Sequence, residues 1–247
     1  MCSDNNKIEH TNMESKTYRE IYDALCTLYD EEKRQILPRF FKTGKGEYGE
    51  GDQFIGVAVP LVRQVAKAYR HVGYGILDEL LASPWHEMRA CALFILVLQC
   101  RKHVTPQAED FYLAHTQRIN NWDLVDLSAP QIVGGYLLDK PRDLLYQLSQ
   151  STNLWENRIA VVATVTFIRQ GDLEDTYALA TQMIHHPHDL MHKAIGWMLR
   201  EAGKKDPERL YDYVDSHRSD MPRTMLRYAI EKFDQPTRQW LMRKDPV

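Results

Sequence analysis

Apolar residues recur at intervals of three and four along almost every segment after Pro60. This spacing places them on one face of an α-helix. No stretch shows the alternating pattern of a strand next to the turn signals of a β-hairpin. Proline and glycine interrupt the helical pattern repeatedly, at Pro84, Pro106, Pro130, Pro141, Gly171, Pro187, Pro207, Pro222 and Pro236. The pattern therefore predicts an all-α fold built from short helices.

Four predicted helices carry a basic residue in or near the first turn. These residues are Arg89, Arg158, Lys193 and Arg227. They are separated by 69, 35 and 34 positions, and the longest gap holds one further unit centred near Asp123. A period of this length is typical of stacked helical hairpins, whose equivalent positions line one side of a curved array. We therefore expect a solenoid of HEAT-like repeats with a concave groove. The first helices of the pairs are predicted at about 106–118, 141–150, 172–184 and 206–217.

The pattern is less regular before Pro60. An early helix is predicted to end within Arg39–Lys42, and the next to begin at Val59 with proline near its first turn. Thr43–Gly56 holds five glycines and is predicted to be an irregular surface loop. We expect residues 16–245 to form a single domain and the polar residues 1–15 to be a disordered leader.

Composition and charge leave a nucleic-acid partner open. The chain of 247 residues is 44% apolar and 26% charged, as in ordinary soluble proteins. Its net charge is −3. Residues 1–32 hold eight acids and three bases, a net of −5, which leaves 28 bases and 26 acids, a net of +2, for the remainder. A basic surface outside the first helix is therefore permitted.

The sequence shows neither a membrane-spanning segment nor a secretory signal. The longest apolar run, Ala90–Leu98, is far shorter than the roughly 20 residues of a spanning helix. Residues 1–10 are polar and lack the apolar region of a secretory signal. We expect a cytoplasmic protein without membrane association.

The cysteines and histidines do not predict a metal site. The four cysteines follow no ligand pattern, and Cys91 and Cys100 fit small buried hydrophobic residues. His188 and His192 have the spacing of two ligands on one helix, but no third ligand follows. A solvated turn between helices explains the histidines at positions 185, 186, 188 and 192 better than a metal site does. We expect no metal and no cofactor.

The segment 121–126 carries the strongest chemical signal. Trp122 and Asp126 are four residues apart and lie on one helical face if the segment is helical. An aromatic surface beside a carboxylate suits a cationic, ring-shaped ligand. Taken alone, the pair is explained better as a buried core tryptophan followed by a solvated aspartate than as a ligand site. The surrounding repeat changes this interpretation, because the pair lies in phase with the basic positions.

The basic positions are unusual in their placement along the helices. Cations at a helix N-terminus oppose the helix dipole, so helix stability does not account for them. Backbone N–H groups and basic side chains together form a phosphate site, which gives affinity without reading sequence. The register therefore indicates a phosphate-binding side of the array.

Three stretches make the chain resemble the AlkD family of DNA alkylation-repair glycosylases. They are Asn121–Asp126, Asn153–Arg158 and Lys193–Glu201, the last of which contains Lys-Ala-Ile-Gly-Trp. Together the first and last stretches are fairly specific, whereas either alone is weak. The resemblance extends over roughly residues 15–240.

The resemblance implies a fold, an activity and a set of site residues. Members grip duplex DNA in the concave face of a HEAT-like solenoid and excise positively charged N3- and N7-alkylpurines in base excision repair. Their site residues match Trp122, Asp126 and Trp197 here, with Arg158 on the intervening helix. Phe40 matches an early aromatic position that is tyrosine in the family. The family approaches the lesion from the backbone side without capturing the base in a pocket.

Residue roles follow from this resemblance and from the register. We expect Asp126, Trp122 and Trp197 to be catalytic. The residues expected to contact DNA are Arg158, Lys193, Arg200, Arg89, Arg227 and Phe40. For Arg200 an ion pair with a nearby acid is the alternative. The expected partner is double-stranded DNA containing alkylated purines, bound by a monomer in the bacterial cytoplasm at the nucleoid.

Two other functions remain open. The first is a non-catalytic relative that binds branched or damaged DNA, which differs from the enzyme only in the three catalytic residues. The second is a helical-repeat scaffold that binds another protein, which the phosphate-binding register disfavours.

Overall fold

The computed structural model describes residues 15–243 as a series of short helices. The α-helices are α1 Lys16–Cys26, α2 Glu31–Phe40, α3 Val59–Ala68, α4 Tyr74–Ala82, α5 His86–Gln99, α6 Pro106–Ala114, α7 Trp122–Ala129, α8 Asp143–Ser149, α9 Leu154–Ala163, α10 Val165–Arg169, α11 Glu174–Gln182, α12 Asp189–Gly203, α13 Pro207–His217, α14 Arg223–Ala229 and α15 Gln235–Leu241. Within the described residues no strand forms, and one isolated β-bridge joins Gln53 to Trp85. The predicted all-α class is confirmed.

Local signals in the sequence fix most helix starts. Asp30, Thr105 and Asn153 precede α2, α6 and α9, and their side chains accept hydrogen bonds from the first-turn backbone. Proline in the first turn suits α3, α6 and α13, because no partner exists there for the missing N–H. The helices predicted at 106–118, 141–150, 172–184 and 206–217 correspond to α6, α8, α11 and α13.

The predicted leader falls almost wholly outside the described residues. Of residues 1–15, only Ser15 is described, and its hydroxyl oxygen accepts a hydrogen bond from the backbone N–H of Tyr18 at 3.1 Å. Ser15 therefore caps α1. Across residues 15–243, no helix has both the length and the apolar character needed to cross a bilayer.

Pro130 does not stop the helix that precedes it. α7 passes directly into a π-helical turn, Pro130–Gly134, followed by a 3₁₀ turn at Leu137–Asp139. Proline removes one backbone donor, and the wider turn accommodates the change without ending the helical path. The expected interruption at Pro130 is thus a local change of helix type.

A row of six helices forms the framework of the fold. α3, α5, α7, α9, α12 and α14 pack against one another in chain order. α4, α8 and α11 each pack against the row helix that follows them in sequence. The faces shared along the row are apolar and include the fully buried side chains of Leu93, Val125, Ile159 and Leu226. The basic positions of the repeat register fall on α5, α9, α12 and α14 of this row.

Candidate functional site

A cleft of 670 Å³ lies beside the N-terminal parts of α9 and α12. Seven of the nine predicted site residues line it: Phe40, Trp122, Asp126, Arg158, Lys193, Trp197 and Arg200. They come from four helices, α2, α7, α9 and α12. Packing of successive row helices therefore brings together residues that lie far apart in sequence.

Asp126 and Arg158 form a two-pronged ion pair in the cleft. Arg158 donates from Nε to Oδ1 of Asp126 at 2.9 Å and from Nη2 to Oδ2 at 2.8 Å. Its Nη1 donates to the carbonyl oxygen of Leu190 at 2.7 Å. Because α9 packs between α7 and α12, one guanidinium links three consecutive helices of the row.

The ion pair gives Arg158 a role besides the phosphate contact predicted for it. Its side chain is only 6% exposed, and three of its five N–H groups donate to protein acceptors. The phosphate contact therefore stays a prediction. Asp126 is 19% exposed and remains open to the cleft. Burial raises the pKa of Asp126, and the charge and hydrogen bonds of Arg158 oppose that rise. Arg158 thus fixes the orientation of the carboxylate.

Trp122 is held in place by aromatic packing. Phe41 stacks on its indole with ring centres 5.5 Å apart, and Phe40 meets it edge-on at 5.9 Å. Phe41 stacks in turn on Phe54 at 5.2 Å. Trp122 and Asp126 are both partly buried and line the same cleft, as their spacing on α7 predicts. The alternative was a core tryptophan followed by a solvated aspartate. Trp122 does pack against the core, but Asp126 is mostly buried and paired with Arg158.

α12 supplies three residues to the cleft on one helical face. Lys193, Trp197 and Arg200 are spaced by four and three residues, so they project from the same side. Lys193 pairs with Asp189 at 2.7 Å, and Arg200 pairs with Glu231. The ion pair considered as the alternative for Arg200 therefore exists, while its side chain still lines the cleft.

Arg89 does not belong to this cleft. Its side chain is 4% exposed, and Nη2 donates to Asp52 at 2.5 Å while Nη1 donates to the carbonyl oxygen of Ser83. Burial and pairing are incompatible with the predicted phosphate contact. We correct its role to a structural one, in which it fastens the loop residue Asp52 to α5.

Arg227 is exposed but does not line the cleft. The next residue, Tyr228, lines it instead, packed beside Gly196 of α12. The register predicted the helix correctly but placed the contributing side chain one position away. Arg227 is therefore not one of the residues that line the cleft.

Several lining residues were not predicted. Lys42 and Tyr48 come from the glycine-rich loop, which the sequence indicated only as an irregular surface segment. His188 was assigned to a solvated turn, yet it caps α12 and also lines the cleft. Nothing in helical periodicity marks such residues, because their positions depend on contacts between distant segments.

The residues that line the cleft carry more positive than negative charge, although the chain as a whole is acidic. Lys42, Arg158, Lys193 and Arg200 line it together with two carboxylates, Asp126 and Asp189, which gives four positive and two negative charges and a net of +2. Within residues 15–243 no group of three or more histidine, cysteine or acidic side chains is arranged to hold a metal ion. The arrangement can hold an anionic backbone around one carboxylate and two indoles.

The described residues form an all-α fold of paired helices, and one cleft is lined by a carboxylate, two indoles and several basic side chains. The family model of the DNA alkylation repair enzymes matches residues 21–233, and the chain belongs to this family. A solved structure described as a predicted DNA alkylation repair enzyme from Enterococcus faecalis is similar, with a TM-score of 0.69 and 15% identity. The match covers 84% of this chain and 97% of that one. Among curated proteins, none matches significantly.

Proposed function

We propose that this protein is a DNA glycosylase that excises N3- and N7-alkylated purines from duplex DNA. The observation that carries the proposal is the carboxylate of Asp126. It is oriented by Arg158, stays partly open to the cleft and shares that cleft with the indoles of Trp122 and Trp197. Membership of the DNA alkylation repair enzyme family supports a damaged DNA substrate.

The proposed reaction breaks the bond between the sugar and the alkylated base. The electron pair of that bond moves onto the positively charged base, which leaves as a neutral molecule, so no strong general acid is required. The deoxyribose becomes cationic, as in other glycosyl transfers, and water then adds to its anomeric carbon and releases a proton to the solvent. A substrate that carries its own positive charge therefore does not depend on protonation of the leaving base by the cleft.

In this proposal, the carboxylate of Asp126 stabilises the sugar cation. Opposite unit charges at about 4 Å attract by roughly 4 kcal/mol at an effective dielectric near 20. If most of this attraction arises only in the transition state, it is worth about a thousandfold in rate. Arg158 occupies one lone pair on each carboxylate oxygen, which leaves others to orient the attacking water. The indoles of Trp122 and Trp197 add aromatic faces beside the cation.

The row of helices supports a HEAT-like solenoid whose concave side follows the DNA backbone. Lys42, Lys193 and Arg200 are the cations of the cleft that are most available to phosphates, because their side chains are more exposed than that of Arg158. Lys193 and Arg200 exchange their carboxylate partners for phosphate oxygens when DNA binds. The lesion is then approached from its sugar–phosphate side, where Asp126 lies.

Release of free 7-methylguanine from duplex DNA tests this proposal. We expect the wild-type protein to release the base and Asp126→Asn to be slower by about a thousandfold, because the amide carries no charge. Asn keeps an acceptor for Arg158, and circular dichroism checks that the variant folds. Asp110→Asn, an exposed position on α6, is the matched control and should retain full activity.

Two results would count against the proposal in different ways. No base release by the wild type above spontaneous depurination would refute the activity on this substrate. Equal rates for wild type and Asp126→Asn would refute the role of the carboxylate alone.

A non-catalytic binder of branched or damaged DNA is the second candidate. The observation in its favour is that both oxygens of Asp126 accept bonds from Arg158, so the pair can also be purely structural. Tighter binding to a four-way junction than to an alkylated duplex, together with no base release, would favour this candidate.

A further inference from the structure

A second concave surface lies at the opposite end of α7 from the cleft. We call it the basic pocket; it has a volume of 470 Å³ and is bounded by Arg101, Lys102, Pro130, Leu138, Lys140 and Arg169. Among the described residues, none lines both the cleft and the basic pocket. α7 begins at the cleft with Trp122 and is followed at its other end by Pro130 of the basic pocket. The two sites are therefore separated by roughly 12 Å, the length of this short helix.

Positive charge is concentrated in the basic pocket more strongly than in the cleft. Four cations line it with one carboxylate, that of Asp139, which gives a net charge of +3 with histidine taken as neutral; the cations are Arg101, Lys102, Lys140 and Arg169. Asp139 pairs with Lys140 at 2.8 Å. In the described part of the chain, the side chains of Arg101, Lys102 and Arg169 have no hydrogen-bond or ion-pair partner. These three cations are therefore available to an anion.

Helix stability accounts for only one of these three cations. A cation in the last turn of a helix complements the helix dipole, and Arg169 is in the last turn of α10. α5 ends at Gln99 without a basic residue in its last turn, and Arg101 and Lys102 lie beyond it. Packing thus brings like charges from separate segments of the chain to one concave surface. Their mutual repulsion is relieved when an anion binds among them.

One wall of the basic pocket is built from tightly packed backbone. It includes the start of the π-helical turn Pro130–Gly134, a type of turn that often occurs at functional sites. Thr166 donates its hydroxyl proton to the carbonyl oxygen of Pro130 at 2.6 Å. A side-chain carbon at Gly134 would lie 2.5 Å from the carbonyl oxygen of Ala163, so the turn packs directly against the end of α9. This wall is therefore held in place before any ligand binds.

An apolar surface adjoins the basic side chains. Val97, Val104 and Leu138 line the same pocket, and Leu138 is 41% exposed. Guanidinium and ammonium groups bind phosphate oxygens, and several of them together match a ligand with more than one phosphate. A volume of 470 Å³ is within the range of small-molecule sites, whereas an extended acidic peptide needs a longer groove. The pocket therefore favours a compact ligand with phosphates at one end and an apolar ring at the other.

We propose that the basic pocket binds a small organic polyphosphate of the nucleoside di- or triphosphate class. Arg101, Lys102 and Arg169 hold the phosphates, and the apolar side chains around Leu138 contact the ring of the nucleoside. This site is independent of the proposed glycosylase function, because it lies outside the cleft.

Calorimetric titration of the full chain with ATP tests the proposal. We expect the wild type to bind ATP, and Arg101→Ala and Arg169→Ala each to bind it about tenfold more weakly, because each loses charge-assisted hydrogen bonds to phosphate. Leu138→Ala should weaken ATP binding about threefold to fivefold and leave the binding of inorganic tripolyphosphate unchanged. Lys67→Ala, at an exposed position on α3, is the matched control and should bind ATP as the wild type does. All four substitutions are at the surface, so the melting temperatures should stay near that of wild type.

Further measurements locate the ligand. Lys193→Ala should bind ATP as tightly as the wild type; a loss in this variant and none in Arg169→Ala would place ATP in the cleft and overturn the proposal. Absence of ATP binding to the wild type would overturn it as well, and so would tighter binding of hexaglutamate than of ATP, which would indicate an acidic protein segment instead. Equal affinities for ATP and tripolyphosphate would overturn the apolar contact with the ring. Release of 7-methylguanine should be unchanged in Arg101→Ala, so failure of this site and failure of the glycosylase function are observed separately.

Discussion

At the scale of single residues, His86 connects three parts of the chain. Its Nδ1 lies 3.0 Å from Asp52 of the loop, and its Nε2 lies 2.8 Å from Asp123 of α7. Burial alone would lower the pKa of His86, but Asp123 and Asp52 raise it to about 9. The imidazolium is therefore favoured in the folded state.

This pKa makes stability depend on pH in one direction. A group whose pKa rises on folding stabilises the protein fully below its unfolded pKa, and that contribution is lost as pH rises through the folded pKa. For His86 the window runs from about 6.5 to about 9, and we expect the free energy of unfolding to fall by about 3 kcal/mol across it. Urea unfolding at a series of pH values measures this change.

Two variants control the pH experiment. His86→Gln should be less stable than wild type at pH 6.5 and should lose little further stability by pH 9. His71→Gln, at an exposed position, should follow the wild-type curve. A wild-type stability that stays level from pH 6.5 to 9 would contradict the role assigned to His86.

Residue roles in the cleft were only partly accessible from sequence. Arg89 and Arg158 stand at equivalent points of the repeat, so the register predicted one role for both. Arg89 is buried and forms an ion pair with Asp52. Arg158 instead donates hydrogen bonds to the carboxylate of Asp126 and to the carbonyl oxygen of Leu190. These partners lie more than 30 positions away, and periodicity carries no information about such pairings.

At the scale of elements, the contact between α12 and α14 explains a glycine of the Lys-Ala-Ile-Gly-Trp motif. A side-chain carbon at Gly196 would lie 2.5 Å from the carbonyl oxygen of Met225 and 2.6 Å from Cβ of Tyr228. The helices can approach this closely only because Gly196 has no side chain. The same approach brings Tyr228 against α12 at Gly196, and Tyr228 and Trp197 both line the cleft.

Gly196→Ala should therefore destabilise the protein by about 1–3 kcal/mol, because α14 must move away from α12. Chemical unfolding measures the difference. Gly75→Ala, on α4, is the matched control: no atom lies within 4 Å of the added carbon, and the variant should be more stable by about 0.5–1 kcal/mol. A Gly196→Ala variant as stable as wild type would show that α12 and α14 are not held this closely.

Elements with strong local signals were predicted well. α3 begins at Val59 with proline in its first turn, as predicted, and α6, α8, α11 and α13 lie within the ranges predicted for the first helices of the pairs. The loop before α3 was recognised by its glycines, but its shape was not predicted. That shape depends on Lys42, Gly49 and the acids that close it, which are contacts within a non-repeating segment.

At the scale of the whole molecule, positive charge is concentrated rather than abundant. The chain carries a net charge of −3, whereas the cleft lining carries +2. Because the chain as a whole is acidic, phosphate binding would depend on the positive residues of the cleft. Each phosphate that these residues neutralise releases counterions from the DNA. The proposed DNA affinity is therefore expected to depend strongly on salt.

Salt titrations of duplex binding locate the responsible cations. Lys42→Ala and Lys193→Ala should each reduce the slope of log affinity against log salt by about 0.9. Arg89→Gln should leave the slope unchanged, because this side chain is buried and paired with Asp52. Arg101→Ala, outside the cleft, is the exposed control. An equal loss of slope for Arg101 and Lys193 would place the DNA elsewhere.

The sequence by itself determined the all-α class, the paired helices, the spacing of the repeat and the segments that carry the family resemblance. These features follow from local periodicity, helix caps and proline positions, which act over a few residues. Only the tertiary structure decided which of the basic residues reach the cleft, how Arg158 orients Asp126 and where Tyr48 lies. Those outcomes depend on burial and on ion pairs between distant segments, and both exist only once the helices have packed.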